Sequence, residues 1–368
     1  MTPASSTASA AGTHPGSRVA AIDALRGFAA LSVMCHHFVS RGSLYGDGAE
    51  IPHVLQPFAH YGHMGVPIFF VISGFVLPLS LATGGYAFRD APRFIAKRLI
   101  RLEPVYLVSL VATLVLWWAA SHTSHFRGPP FDPTWGRIAS HVAYLTALLG
   151  YPWLAPVYWT LGLEFQFYLL MALLFPLLDR GGAWSRTPLL LGLMALDRLD
   201  VPESIFASWG SLFAVGIVTF YVRDRQRCHW LDVVTGLLGF GMIAADHGYA
   251  VSLAALASVA MILTDCMCPL APLTWIGSIS YSLYLFHWII GQKIINIGGR
   301  CAQNDVQRML WFMAGILGSL AVSWVMWRYI EHPCQRLASR IRYSGSRSSA
   351  RDPRSISTSP ARVTGGHD

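Results

Sequence analysis

Nine stretches of this chain stay apolar for fifteen to twenty-two residues with few charges: 22–39, 64–82, 104–120, 157–178, 205–222, 231–245, 249–264, 273–294 and 309–330. A segment of that length and composition satisfies its own backbone polar groups in lipid only as a helix. The chain is therefore expected to be all-α, a polytopic bundle of membrane helices. Composition agrees: 54% of residues are hydrophobic and 12% charged, about half the charged share of soluble domains. The short alternating segments of a porin-like barrel are not visible. Two further stretches, 141–150 and 188–196, are short, one a span with polar ends and the other a partial or lateral helix. The count is ten or eleven.

Charge orients the array. Arg89, Arg93, Lys97, Arg98 and Arg101 precede the third span, and Arg223, Arg225 and Arg227 follow residue 222. Arg336, Arg340, Arg342, Arg347, Arg351, Arg354 and Arg362 crowd the end of the chain. The positive-inside rule puts all three groups in the cytoplasm. Spans one and two form an out-and-back hairpin, so the N-terminus is cytoplasmic too. Two cytoplasmic ends require an even count, which selects ten. Residues 1–17 read as a disordered tail without a signal peptide's basic and apolar regions. Residues 18–335 form the membrane-embedded domain, and residues 336–368 a basic, largely disordered cytoplasmic tail. Basic loops account for the net charge of +8, so nucleic acid is not expected as a partner. Six scattered cysteines (Cys35, Cys228, Cys266, Cys268, Cys301, Cys334) and the loop histidines His53, His60, His63, His122 and His125 lack metal-ligand spacing. No metal is expected.

Ionisable groups inside such helices are costly and mark candidate sites. Arg26 and His37 are eleven residues apart, three turns plus roughly 20°, on one face of one helix and roughly 16 Å apart along it. The same angular sum turns His36 about 80° away. A neutral buried imidazole at His37 can take a proton from a hydroxyl and return it; the plainer alternative is a helix-end histidine bonded to a loop carbonyl. Asp23, one turn before Arg26, can pair with it. Arg98 and Arg101 are adjacent on a helix surface and suit phosphate oxygens, with lipid headgroups as the competing ligand. Glu164 opens a long apolar helix with Tyr168 one turn later. It can orient a histidine, bind a substrate hydroxyl, pair with an arginine, or simply complement the helix dipole. Tyr281, Tyr284 and His287 step by three into a polar ridge that lines a cavity or glues helices. Glu331 lies where a helix reaches its inner end.

Taken together and in order, these stretches resemble the acyltransferase-3 family of integral-membrane O-acyltransferases. Ile22-Asp-Ala-Leu-Arg26-Gly with His37 looks like its Arg-x10-His motif, and Gly62-x-x-Gly65 through Ser73-Gly-Phe like its second-helix signature. Arg98-Leu-Ile-Arg101 with Pro104 resembles its Arg-x-x-Arg motif, and Trp159 through Glu164 to Tyr168 its acidic-aromatic motif. Tyr281-x-x-Tyr284-Leu-x-His287 and Tyr329-Ile-Glu331-x-Pro333 match its closing pair. Pro67 and Phe165 stand where the family commonly carries acids, so no role is carried over to them. No serine-hydrolase-like extension is expected after the last span, unlike in some relatives.

The resemblance implies transfer of an acyl group, often acetyl from acetyl-CoA, to a hydroxyl. No cofactor stays bound; acyl-CoA is the donor substrate. Arg98 and Arg101 would hold the CoA phosphates. His37 would act as base or carry the acyl group briefly. Arg26 would guide the donor or polarise the thioester, and Glu164 would position His37 or the acceptor. Tyr168, Tyr281, Tyr284, His287 and Glu331 would line the substrate cavity. The acceptor is expected to be a hydroxyl of an envelope or exported glycan such as exopolysaccharide or lipopolysaccharide, with the enzyme in the plasma (bacterial inner) membrane. The alternatives are acylation of a macrolide-like metabolite and, in another class, a membrane transporter. The oligomeric state is left open.

Overall fold

The computed structural model describes residues 15–45, 50–124, 128–224, 226–264 and 271–344. Residues 1–14, His125, Arg225, Cys266, Cys268 and the chain beyond Ser344 lie outside it, so the readings of both tails bear mostly on undescribed residues. All regular structure among the described residues is helical. In chain order the helices are α1 (Pro15–Ser40), α2 (Gln56–Tyr61), α3 (Gly65–Gly84), α4 (Ala91–Ser121), α5 (Trp135–Val142), α6 (Trp159–Arg180), α7 (Gly182–Ala195) and α8 (Gly210–Arg223). They continue as α9 (Trp230–His247), α10 (Tyr249–Thr264), α11 (Ala271–Ser278), α12 (Ser280–Phe286), α13 (Gln292–Cys301), α14 (Asp305–Met326) and α15 (His332–Ser339).

Five helical segments among the described residues are long and apolar enough to cross a membrane: Gln56–Gly84, Phe88–Ser121, Pro156–Arg180, Phe206–Arg223 and Asp305–Ser339. Helix α1 is long enough, but Asp23, Arg26, His36 and His37 make it less apolar than these. The short stretch 188–196 lies mostly within α7, whereas 141–150 is mostly turns after α5.

Three boundaries differ from the sequence reading, each near the site. Helix α4 starts at Ala91 and runs through Pro104, so Arg98 and Arg101 ride on the membrane helix itself and not on a loop before it. A helix tolerates an internal proline when neighbouring helices re-satisfy the freed carbonyl. The stretch 273–294 is not one rod. It breaks at Ile279 and again relaxes into a π-helical turn at His287–Gly291. Glu331 does not end its helix: a π turn at Trp327–Glu331 hands over to α15, with Pro333 in that helix's first turn.

Glycines set the closest crossings. A Cβ at Gly277 would sit 1.8 Å from the Asp23 carbonyl oxygen, and one at Gly27 would sit 2.1 Å from the Leu273 carbonyl oxygen. Gly74 and Gly216 make a matching contact between α3 and α8. Without a side chain, backbones touch and dispersion contacts replace the missing hydrophobic drive in lipid. The first crossing brings α11 and α12 beside the Asp23–Arg26 turn of α1. The core of the other half is aromatic, with Phe167 and Phe70 centred 4.4 and 4.8 Å from the Phe213 ring.

Candidate active site

Two cavities lie at opposite ends of α4. The first, of about 290 Å³, lies at the Arg26 end. Arg26, Arg98, Arg101, Glu164, Tyr168, Tyr281, Tyr284 and Glu331 all line it. Seven of these come from the three motif stretches around Arg98, Glu164 and Tyr281 and from Glu331, which lie on separate helices; packing gathers them. Asp23 also lines the cavity, 4.0 Å from Arg26. The Arg98 guanidinium is buried between two aromatic faces, 5.4 Å from the Phe94 centroid and 5.3 Å from that of Tyr168. Its Nε has no hydrogen-bond partner among the described residues. Three guanidinium groups in a partly closed, low-dielectric space suit a ligand carrying several negative charges.

Other candidates hold the cavity's walls. Tyr168 donates its hydroxyl proton to Glu164. Tyr281 donates to the Leu102 carbonyl at 2.9 Å, and the Tyr284 and Thr160 hydroxyls are 2.7 Å apart. The buried Glu331 carboxylate accepts from the backbone N and hydroxyl of Ser282 at 3.2 and 2.6 Å and from Gln335 at 2.9 Å. Glu331 thus ties the π turn after α14 to the start of α12, where 273–294 breaks.

His37 does not line this cavity. Its Nδ1 lies 2.9 Å from Nε2 of His287, and Nδ1 of His287 lies 2.9 Å from the Leu283 carbonyl. A carbonyl only accepts, so His287 carries its proton on Nδ1. Neutral His287 then only accepts at Nε2, so His37 carries its own proton on Nδ1. The lone pair of His37 is left on Nε2, at the edge of a half-buried ring. That is the arrangement of a general base oriented by a partner. The side chain bonded to His37 is His287; Glu164, expected to position His37 or the acceptor, lines the first cavity with Tyr168. The ring of His36 turns to α2, with Nδ1 3.2 and 3.1 Å from the carbonyls of Phe58 and Ala59.

The second cavity, of about 510 Å³, lies at the other end of α4. Trp117, Trp153 and Trp288 form much of its wall, with Asp132, Arg137 and Lys293 among its polar groups. Arg137 fixes Trp153 by donating to that residue's carbonyl at 3.1 Å and lies 5.5 Å over Trp117. The Trp288 ring packs edge-on to His37 with centroids 5.3 Å apart. His37 therefore sits between an arginine-rich cavity, reached through Tyr284 beside His287, and an aromatic one reached through Trp288.

Sequence reasoning did not find Trp117, Trp153 or Trp288 as a set, because they come from three distant segments. It also missed Asp197, whose carboxylate receives Ser211 and, at 2.9 Å, His247. There the acid sits in the middle, so the trio lacks the order of a nucleophile, base and orienting acid and serves to start α8.

The family profile described as an acyltransferase domain matches residues 19–328. The membrane-bound transacylase BcsY of Komagataeibacter xylinus is 28% identical over 320 residues, covering 74% of this chain and 73% of that protein. The O-acetyltransferase OatA of Staphylococcus aureus is 24% identical over 365 residues, covering 86% of this chain and 57% of that protein, less than two thirds of its length. The acetyltransferase ORF330 of Acidianus two-tailed virus is 29% identical over 157 residues, covering 42% of this chain and 40% of that protein. No solved structure matches significantly.

Proposed function

The chain belongs to the acyltransferase-3 family and is an O-acyltransferase, and from that premise we propose that it moves an acetyl group from acetyl-CoA across a membrane to a glycan hydroxyl. In this reading the chain makes ten passes with both termini in the cytoplasm. Arg98 and Arg101 face the cytoplasm and hold the phosphates of the donor. Arg26 guides the arm that carries the thioester, whose reach must cover the roughly 16 Å from Arg26 to His37. The glycan enters the tryptophan-walled cavity, whose volume fits one or a few sugar rings.

The observation that carries this reading is the His37–His287 pair between the two cavities. Nε2 of His37 takes the proton from the acceptor hydroxyl as that oxygen bonds to the thioester carbonyl carbon. The carbon–sulfur bond then breaks, and the thiolate leaves with the proton returned by the imidazolium. The products are the O-acetyl ester and free CoA. His287 stabilises the imidazolium and keeps Nε2 as the reactive nitrogen. Glu164 with Tyr168 and Glu331 with Ser282 hold the donor cavity in shape. A bacterial inner membrane supplies the donor on one face and exported glycans on the other.

The test is mass spectrometry of ester-linked acetyl on membrane and envelope glycans from cells with and without the protein, and with Arg98→Ala/Arg101→Ala. The proposal expects acetyl esters only with the intact protein, and donor KM raised at least tenfold in the double variant. Unchanged glycans, or an unchanged donor KM, would contradict it.

A further inference from the structure

The segment after α15 folds back onto the arginine end of α4. Asp90 is fully buried at the start of that helix. Its carboxylate accepts from Arg93 at 2.8 Å, from the backbone N of Ser344 at 3.0 Å and from the Ser344 hydroxyl at 2.7 Å. Tyr343, one residue earlier, is 3% exposed. Its ring fills the space a side chain at Gly84 would need, with a Cβ there only 2.6 Å from the ring. Lys97 is held over the outer face of the same ring, 5.4 Å from its centroid. A Ser/Arg-rich tail has no need of a buried aromatic and a three-residue polar anchor.

The chain of contacts continues to the donor cavity. Tyr343 packs edge-on to Tyr86 at 5.6 Å, and Tyr86 edge-on to Phe94 at 5.9 Å. Phe94 forms one of the two aromatic faces that hold the Arg98 guanidinium. Because Arg98 has no hydrogen-bond partner on Nε, these aromatic faces are what define its direction. A long, rotamer-rich side chain loses that definition when its supporting layer loosens.

We propose that Tyr343 and Ser344 form a clip whose aromatic ring holds Arg98 ready for the phosphates of acyl-CoA, making Tyr343 a positioning residue for donor binding. The inference rests on the proposed donor site. The experiment is equilibrium binding of acetyl-CoA to the purified full-length protein. Freeing one such side chain weakens binding roughly 3- to 10-fold, so Tyr343→Ala raises the Kd by that factor. Tyr343→Phe restores the wild-type value, because the Tyr343 hydroxyl has no partner among the described residues. Tyr343→Leu keeps apolar bulk where alanine does not accumulate, and it gives a smaller rise in the same direction. A wild-type Kd in both the alanine and leucine variants, or an equal loss in the phenylalanine variant, overturns the clip. Arg98→Ala separates the two ideas. If it weakens acetyl-CoA binding while Tyr343→Ala does not, only the clip fails. If Arg98→Ala also binds normally, the donor site itself is wrong.

Discussion

Nε2 of His37 is available because two hydrogen bonds in series consume the other positions of both rings. A substitution at His287 therefore acts through the tautomer of His37. His287→Phe removes the acceptor and is expected to lower kcat about 10²- to 10⁴-fold, the range lost when a general base is misplaced or in the wrong tautomer. His287→Gln, whose amide oxygen also accepts, should retain part of that. Steady-state kinetics compare the three proteins, and equal kcat in His287→Phe and wild type would remove the relay. Activity should fall on the acid side of the profile, where a proton on the pair occupies Nε2. The angular sum on α1 separates His37 from His36 in the sequence, and in the structure the two rings have different partners, the Phe58 and Ala59 carbonyls for His36 and His287 for His37. The partner was not legible. His37 and His287 are 250 residues apart, and periodicity gives the face of a helix without saying which helix covers it.

At the scale of elements, the site depends on how closely α1 and α11 approach. With the Gly277 position 1.8 Å from a backbone oxygen of Asp23, Gly277→Leu must push the two backbones apart. The expected cost is at least the 1–3 kcal/mol typical of overpacking, read as a lower Tm in detergent. Gly241→Ala on α9, where an added Cβ meets nothing within 4 Å, should leave Tm unchanged or slightly raised. Equal tolerance of both would remove the crossing as a structural determinant. Apolar length located most of the helices but misplaced the interruptions that shape the cavity. At the break after Ile279 the neighbour Glu331 bonds Ser282, a long-range contact that local periodicity does not show. The clip at Tyr343 was hidden for the same reason. Its surrounding sequence is polar and basic, and its seat is made by distant residues: the buried Asp90, the space above Gly84 and the Tyr86 ring.

Across the whole molecule, the arginine-lined and tryptophan-lined cavities lie at opposite ends of α4; Arg26 of α1 lines the first, and His37 packs against Trp288 of the second. The motif order made the family and the arginine end readable in the sequence. The tryptophan cavity was not, since Trp117, Trp153 and Trp288 belong to no shared motif. In the proposed function, this arrangement lets a donor and an acceptor in different compartments react. The most direct measurement uses inverted and right-side-out membrane vesicles from cells making the protein, with radiolabelled acetyl-CoA added outside and ester-linked label counted in the glycan fraction. The proposed two-sided transfer predicts label in inverted vesicles, where the proposed cytoplasmic face with Arg98 is outermost, and none in right-side-out vesicles or in inverted vesicles carrying His37→Ala. Equal labelling in both orientations, or undiminished labelling with His37→Ala, would contradict it.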